Sequence, residues 1–219
     1  MSTFPNSPRL LKGGIVLIDP DTSAVLRVIA LQYNPETLSR TLQIQAVTSD
    51  GQDRSEALRL KGPANETIKL DAEIDATDQL EFPNQNRTST QFGIFPQLAA
   101  LETIAYPTSA QLQANNTRQG AGELEIIPVE APLMLFVWSK TRILPVRLTD
   151  FSITEEAFDA ALNPIRAKVS LGMRVLTVND VGFSHKGGNL FMAYLQNKEQ
   201  LAGLNRGAPL SALGITGIP

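Results

Sequence analysis

The sequence predicts a mainly β (α+β) protein, an antiparallel β-barrel or split sandwich with two or three short helices. Residues 67–75 alternate strictly between apolar and charged side chains, and residues 166–175 alternate in a similar way. Successive side chains of a strand point to opposite faces, so each segment predicts a strand with one buried and one wet face. One-sided alternation of this kind favours antiparallel pairing over parallel pairing.

The N-terminal part of the chain predicts a hairpin of deeply buried strands. Residues 14–19 and 25–33 are apolar almost throughout, and the turn residues Asp-Pro-Asp-Thr-Ser at 19–23 separate them. Residues 133–138 are equally apolar and predict a further buried strand. All three are expected to lie deep in the protein or to be covered on both faces.

Two more segments predict strands with an irregularity. In residues 38–46 the apolar positions alternate, with Arg40 as an exception on the apolar face. In residues 142–154 the alternation slips phase, and a bulge or bend near Asp150 would reconcile its two halves.

The helices and loops follow from other patterns. Apolar spacing after Pro96 predicts a helix over residues 96–105, and an apolar stripe predicts a second helix from Asn189, its predicted N-cap. Residues 154–162 are expected to form one short helical turn. Three polar or glycine-rich stretches predict loops: residues 50–65, 106–122 and 203–219. The chain is therefore expected to form one domain, residues 1–202, followed by a loop-rich tail, residues 203–219, that docks on a neighbouring subunit.

Composition narrows the classes of function. The chain has 219 residues, a net charge of −3, one histidine and no cysteine. These values exclude thiolate metal sites and cysteine nucleophiles, and they do not indicate nucleic-acid binding. The apolar run at residues 14–18 is too short to cross a membrane. We therefore expect that the protein is made in the cytoplasm and does not insert into a membrane.

The chemistry-bearing residues predict no enzyme. His185 is the lone histidine, no Gly-x-Ser-x-Gly elbow is present, and no phosphate-binding glycine motif appears. We predict no catalytic residue, no cofactor and no metal. A glycosidase carboxylate pair leaves no local signature, so a carbohydrate-active β-sandwich enzyme or lectin is the alternative from another class.

Two segments carry a family resemblance. The segment LQYNPETLSR, residues 31–40, and the segment DFSITEEAFDAALNPIRAKVS, residues 150–170, resemble motifs of the contractile injection system tube-adaptor family. The similarity extends in weaker form from Lys12 to Leu201. Some members of that family carry a LysM module, for which this chain has no room.

The resemblance implies a tube-like β fold that assembles in the bacterial cytoplasm as part of a phage-tail-like particle. It implies a hexameric ring that joins the spike-carrying trimeric hub to the inner tube, templates tube assembly and contacts other baseplate subunits. The major inner tube subunit is the nearest alternative. Ring closure would use exposed strand edges and loops.

The same motifs predict which residues form structural corners and which lie at interfaces. Proline fixes its own φ and keeps its predecessor out of the helical region, so both Asn-Pro pairs predict sharp corners between strands. The predicted corner residues are Tyr33, Asn34, Pro35, Asn163 and Pro164. The candidate interface residues are Glu36, Glu155 and Glu156, whereas Phe158 is expected to lie in the core.

Overall fold

The computed structural model describes residues 10–46, 59–120 and 130–218. Seven strands form one antiparallel sheet. They are β1 Gly14–Ile18, β2 Val25–Ala30, β3 Ser39–Gln43, β4 Asn65–Asp75, β5 Leu133–Ser139, β6 Arg142–Phe158 and β7 Pro164–Val175. Their order in the sheet is β2-β1-β5-β6-β7-β4-β3. The antiparallel, mainly β class is confirmed, but the sheet does not close into a barrel, because β2 and β3 remain as edges.

Six α-helices and one 3-10 helix accompany the sheet within the described residues. They are α1 Thr77–Leu80, α2 Arg87–Phe92, α3 Phe95–Glu102, α4 Ser109–Gly120, α5 Val178–Val181, α6 Lys186–Leu204 and the 3-10 helix Leu210–Leu213. No helix in these ranges is long and apolar enough to span a membrane.

The main core lies on one face of the sheet. The even residues of β4 and the odd residues of β7 from Ala167 onward are buried there, as the alternation predicts. Side chains of α3 and α6, including Leu98 and Phe191, pack against the same cluster. A smaller cluster of Ile18, Leu133 and Leu135 occupies the other face, so β1 and β5 are covered on both sides as predicted.

The central hairpin confirms the predicted irregularity. The register of β6 against β7 shifts between Leu148 and Asp150. Gly172 faces Asp150 across this shift, and a Cβ added to the glycine would lie 2.9 Å from the Asp150 Cβ. The bulge therefore brings the two phases of the β6 pattern onto one buried face.

Three predictions on the helices are wrong. Residues 154–158 continue β6 instead of forming a helical turn, because β7 pairs with them. Residues 109–120 form α4, which lacks buried residues and therefore lacks the apolar periodicity that would have revealed it. The last long helix begins at Lys186 with His185 as its N-cap, not at Asn189. The predicted loop at residues 50–65 lies mostly outside the described residues.

Two predictions on burial are also wrong, and both concern the sheet edges. In β2, Val25 and Val28 are 62% and 64% exposed, although the apolar run predicts deep burial. In and after β3, Leu42 and Ile44 are 50% and 70% exposed. Each edge strand pairs with only one described strand, and no described residue covers these side chains.

Candidate assembly surfaces

Both ends of the strand order carry exposed apolar side chains. We define the β2 edge as Val25, Leu26 and Val28, and the β3 edge as Leu42, Ile44 and Leu60, which is 71% exposed. Leu60 joins the β3 edge because it bridges to Ala46 just beyond β3. These surfaces belong to different strands, as the two halves of a head-to-tail ring contact must.

The first corner ties the chain after β2 to the start of β1. The side chain of Asn34 accepts a hydrogen bond from the Gly13 N–H at 2.9 Å and donates one to the Leu11 C=O at 2.7 Å. Its neighbour Tyr33 is 48% exposed, Pro35 is half-buried and Glu36 is exposed. Asn34 therefore holds the corner, while Glu36 stands on the outer surface.

The second corner lies at the tip of the β6–β7 hairpin. The Asn163 side chain donates to the Gln91 C=O at 3.2 Å and to Asp159 Oδ2 at 2.8 Å. The hydrogen bonds from Asn163 hold the pKa of the Asp159 carboxyl below its ordinary value. Pro164 is buried, and its C=O accepts from the Ile94 N–H at 2.9 Å.

Phe158 lies at the same tip, and its predicted burial is wrong. The residue is 50% exposed. Glu155 is exposed beside it, whereas Glu156 is half-buried and pairs with Lys168 at 3.1 Å. Leu162 is 80% exposed, so the tip presents two large apolar side chains.

A buried ion cluster links β3, β4 and α6. Glu66 is only 3% exposed, and its Oε1 lies 2.6 Å from Arg40 Nη2. Lys198 Nζ lies 3.0 Å from Glu66 Oε2. The Tyr194 hydroxyl accepts a hydrogen bond from Arg40 Nη2 and donates one to Glu66 Oε1. Burial raises the pKa of Glu66, but Lys198 and Arg40 outweigh it, so the pKa is lowered.

Sequence reasoning did not identify this cluster. The signal was present as Arg40, the exception in the alternation of residues 38–46, and as Glu66 at the even, buried phase of the next strand. Two opposite charges on the apolar faces of neighbouring strands indicate a buried pair.

His185 has a local structural role. Its Nδ1 accepts the Gly187 N–H at 3.0 Å and so caps α6, and its Nε2 lies 3.4 Å from Glu130 Oε1. Both residues line a cavity of about 590 Å³ with Arg147 and Asp150. The buried Gly188 packs against the Gly182 carbonyl, where a Cβ would collide, which explains a glycine in this first turn.

The His185 cap yields a prediction. Replacing His185 with alanine removes one acceptor from the first turn of α6, so the free energy of unfolding should fall by about 1 kcal/mol. Association of the folded protein should be unchanged, as measured by thermal melting and native mass spectrometry on one sample. Loss of association with the fold intact would show that His185 does more than cap the helix.

The other polar clusters are accounted for by ion pairs. Arg166 lies 2.7 Å from Asp75, and Arg174 pairs with Asp180. With the Lys168–Glu156 pair, each of the three basic residues of β7 has a carboxylate partner. Within the described residues, no three histidine or acidic side chains are grouped as a metal site would require.

Comparisons with known proteins give structural similarity but no matching family. No protein-family model and no curated protein matches the chain. Among solved structures, it is similar to a chain from the tail of an empty GTA particle, computed with helical refinement and C6 symmetry. The two are 14% identical with a TM-score of 0.29, over 75% of this chain and 90% of the other.

Proposed function

We propose that this chain is a structural adaptor of a contractile injection system, forming a hexameric ring that joins the spike-carrying hub to the inner tube. One observation carries the proposal: apolar strand residues that the sequence predicts as buried lie exposed at both ends of an open sheet. Edge strands of this kind pair with further strands unless charge or proline blocks them.

Head-to-tail contact between the β2 edge and the β3 edge would cover these residues in every subunit. Such a contact uses two different surfaces, so it forms a closed ring only when the rotation per subunit divides the circle. The family motifs at residues 31–40 and 150–170 support the adaptor role in particular. The outward-facing Glu36 and Glu155 are proposed to contact the neighbouring layers of the baseplate.

A charge on the β3 edge tests the ring. Leu42→Lys is expected to abolish the hexamer while leaving the monomer folded, because a charged lysine on an edge strand disfavours strand pairing and the half-exposed side chain contributes little to the core. Leu42→Thr is the matched control, since it replaces the same side chain with an uncharged β-branched residue that suits a strand, and it should retain the ring. Native mass spectrometry reads the copy number.

Other results would select other functions. A Leu42→Lys variant that remains hexameric would exclude the β3 edge as a ring contact. Long tubes in place of single rings would favour the major inner tube subunit. A protein that stays monomeric and binds a glycan would favour the carbohydrate-active alternative.

A further inference from the structure

A groove of about 350 Å³ lies between β2 and the second half of β4, with α3 along one side. It exists because β3 pairs only with residues 65–69 of β4, so no described strand lies beside residues 70–75. The apolar side chains of Leu31, Leu101 and Leu171 contribute to its lining. The groove therefore occupies the place of a missing strand.

The β4 side of the groove has backbone groups that pair with no described strand. The Asp75 N–H and C=O are bonded to the side chain of Gln32, at 3.0 Å and 2.6 Å, and so point away from β7. Backbone groups of an antiparallel strand change sides at every residue. The N–H and C=O of Asp71 and Glu73 consequently point into the groove.

The β2 side is arranged in the same way. The Leu31 N–H donates to the Gly13 C=O at 2.9 Å, so Leu31 faces the β1 side of the pair. By the same alternation, the N–H and C=O of Val28 and Ala30 face the groove. Two strands therefore present unpaired backbone groups to the same gap.

The width of the gap suits one extended segment. The Gln32 side chain crosses it to reach Asp75. A glutamine side chain with one hydrogen bond joins backbones that lie roughly 9–10 Å apart, about two strand spacings. Gln97 adds an acceptor, since its Oε1 is buried in the groove lining and accepts no hydrogen bond from the described residues.

The tail of the chain has the matching chemistry. After α6, residues 205–218 are all exposed, and Leu213 and Ile218 are 73% and 80% exposed. No side chain of residues 207–219 is charged, so residues 215–218 bring no charged side chain into an apolar groove. Residues 215–218 lie beyond the 3-10 helix and include two isoleucines and a threonine, which favour extended structure.

We propose that residues 215–218 of one copy of this chain insert as an additional strand between β2 and β4 of a second copy. The inserted backbone would pair with Val28 and Ala30 on one side and with Asp71 and Glu73 on the other. This pairing uses the backbone edge of β2, so the ring contact of the β2 edge would be made by the exposed side chains of Val25, Leu26 and Val28. Within one chain, Lys198 holds the last turns of α6 against Glu66 at the start of β4, whereas the groove lies at the end of β4. A tail and a groove on different parts of the subunit form the heterologous contact that a ring uses, so the inference extends the proposed function.

The absence of cysteine permits a cross-linking test on the full-length chain. One tagged batch carries Thr216→Cys, and a second, differently tagged batch carries Ala100→Cys on α3 in the groove lining. Mild oxidation of the mixture should yield the mixed-tag disulfide roughly tenfold above a pairing with Ala131→Cys, because docking raises the effective concentration of the two thiols. Ala131 is the matched control, exposed near the opposite end of β5 from the groove.

A backbone variant tests the strand pairing itself. Val28→Pro in the Ala100→Cys batch removes an N–H that faces the groove and leaves the β1–β2 ladder bonds in place. The mixed disulfide should fall to the Ala131→Cys level. Val28→Thr keeps the N–H and the branched shape, and should retain the cross-link.

The outcomes separate this inference from the ring. Equal yields at Ala100 and Ala131, or a yield that Val28→Pro leaves unchanged, would overturn it. A further variant carries both Thr216→Cys and Ala100→Cys in one chain. A disulfide that forms only within that chain would assign the groove to the chain's own tail and would also overturn the inference. Native mass spectrometry of the unmodified protein scores the hexamer independently, so a hexamer without the cross-link refutes only the tail contact, and the cross-link without a hexamer refutes only the ring.

Discussion

Replacing Glu66 with glutamine is expected to lower the free energy of unfolding by about 3 kcal/mol, because losing one partner of a buried ion pair is strongly destabilising. The carboxylate is the common acceptor for Arg40, Lys198 and Tyr194, and it is 3% exposed. The variant keeps the size of the side chain and removes its charge. Chemical denaturation of the wild type and the variant measures the difference.

The matched control is Glu73→Gln on the same strand. Glu73 is exposed and lies 3.7 Å from Arg166, which also pairs with Asp75. An exposed pair of this kind contributes at most about 0.5–1 kcal/mol, so the control should change stability little. Equal losses for both variants would show that the Glu66 cluster contributes no more than a surface pair.

The same cluster predicts a pH dependence. The pKa of Glu66 in the folded protein is below its ordinary value of 4.5, so above that pH both states are ionised and the contribution is complete. As the pH falls from 4.5 towards the folded pKa, the unfolded state takes up its proton first, and stability is lost. Glu66→Gln should therefore flatten the acid side of the stability curve, and an unchanged curve would contradict the assignment.

Replacing Phe158 with alanine is expected to abolish the hexameric ring, because we propose the exposed hairpin tip with Phe158 and Leu162 as a further contact between subunits. Monomer stability should fall by less than about 1 kcal/mol. Phe158 lies at the tip of the β6–β7 hairpin and is half-exposed, so its truncation takes only part of an aromatic side chain out of the protein interior. The backbone beside it is held in an unusual state, since Ala157 and Leu162 have φ of 54° and 64°. Such conformations cost free energy in non-glycine residues and are often associated with functional sites.

Phe183→Ala is the control for Phe158→Ala. Phe183 is 67% exposed in the loop before α6 and lies outside the hairpin tip and both sheet edges. Its loss should leave the hexamer intact, as read by native mass spectrometry beside thermal melting. A stability loss of about 3–5 kcal/mol in Phe158→Ala would instead show that the Phe158 side chain belongs to the core.

The strands and their core faces were predictable where local alternation agrees with burial. Residues 67–75 and 167–175 follow this rule, because β4 and β7 pair with each other along these residues and both are covered on one face. The bulge at Asp150 was predictable as well, since a phase slip in a period of two requires an extra residue.

Other elements could not be read locally. Residues 154–158 have no strand pattern of their own and are extended because β7 pairs with them. Helix α4 is polar on every side, so no hydrophobic period indicates it. The corner residues remain a prediction from the effect of proline on the backbone, and the partner of Asn34 at Gly13 depends on how β1 meets the chain after β2.

By itself, the sequence determined the class of the fold and the buried faces of the central strands, because alternation acts through neighbouring residues. Only the tertiary structure decided which strands stand at the edges, since strand order depends on pairing between distant segments. The apolar side chains of β2 and of residues 42–44 predict burial whether the strand lies at an edge or in the middle of the sheet. It is their position at the two ends of an open sheet that leaves them exposed and makes them candidate contacts between subunits.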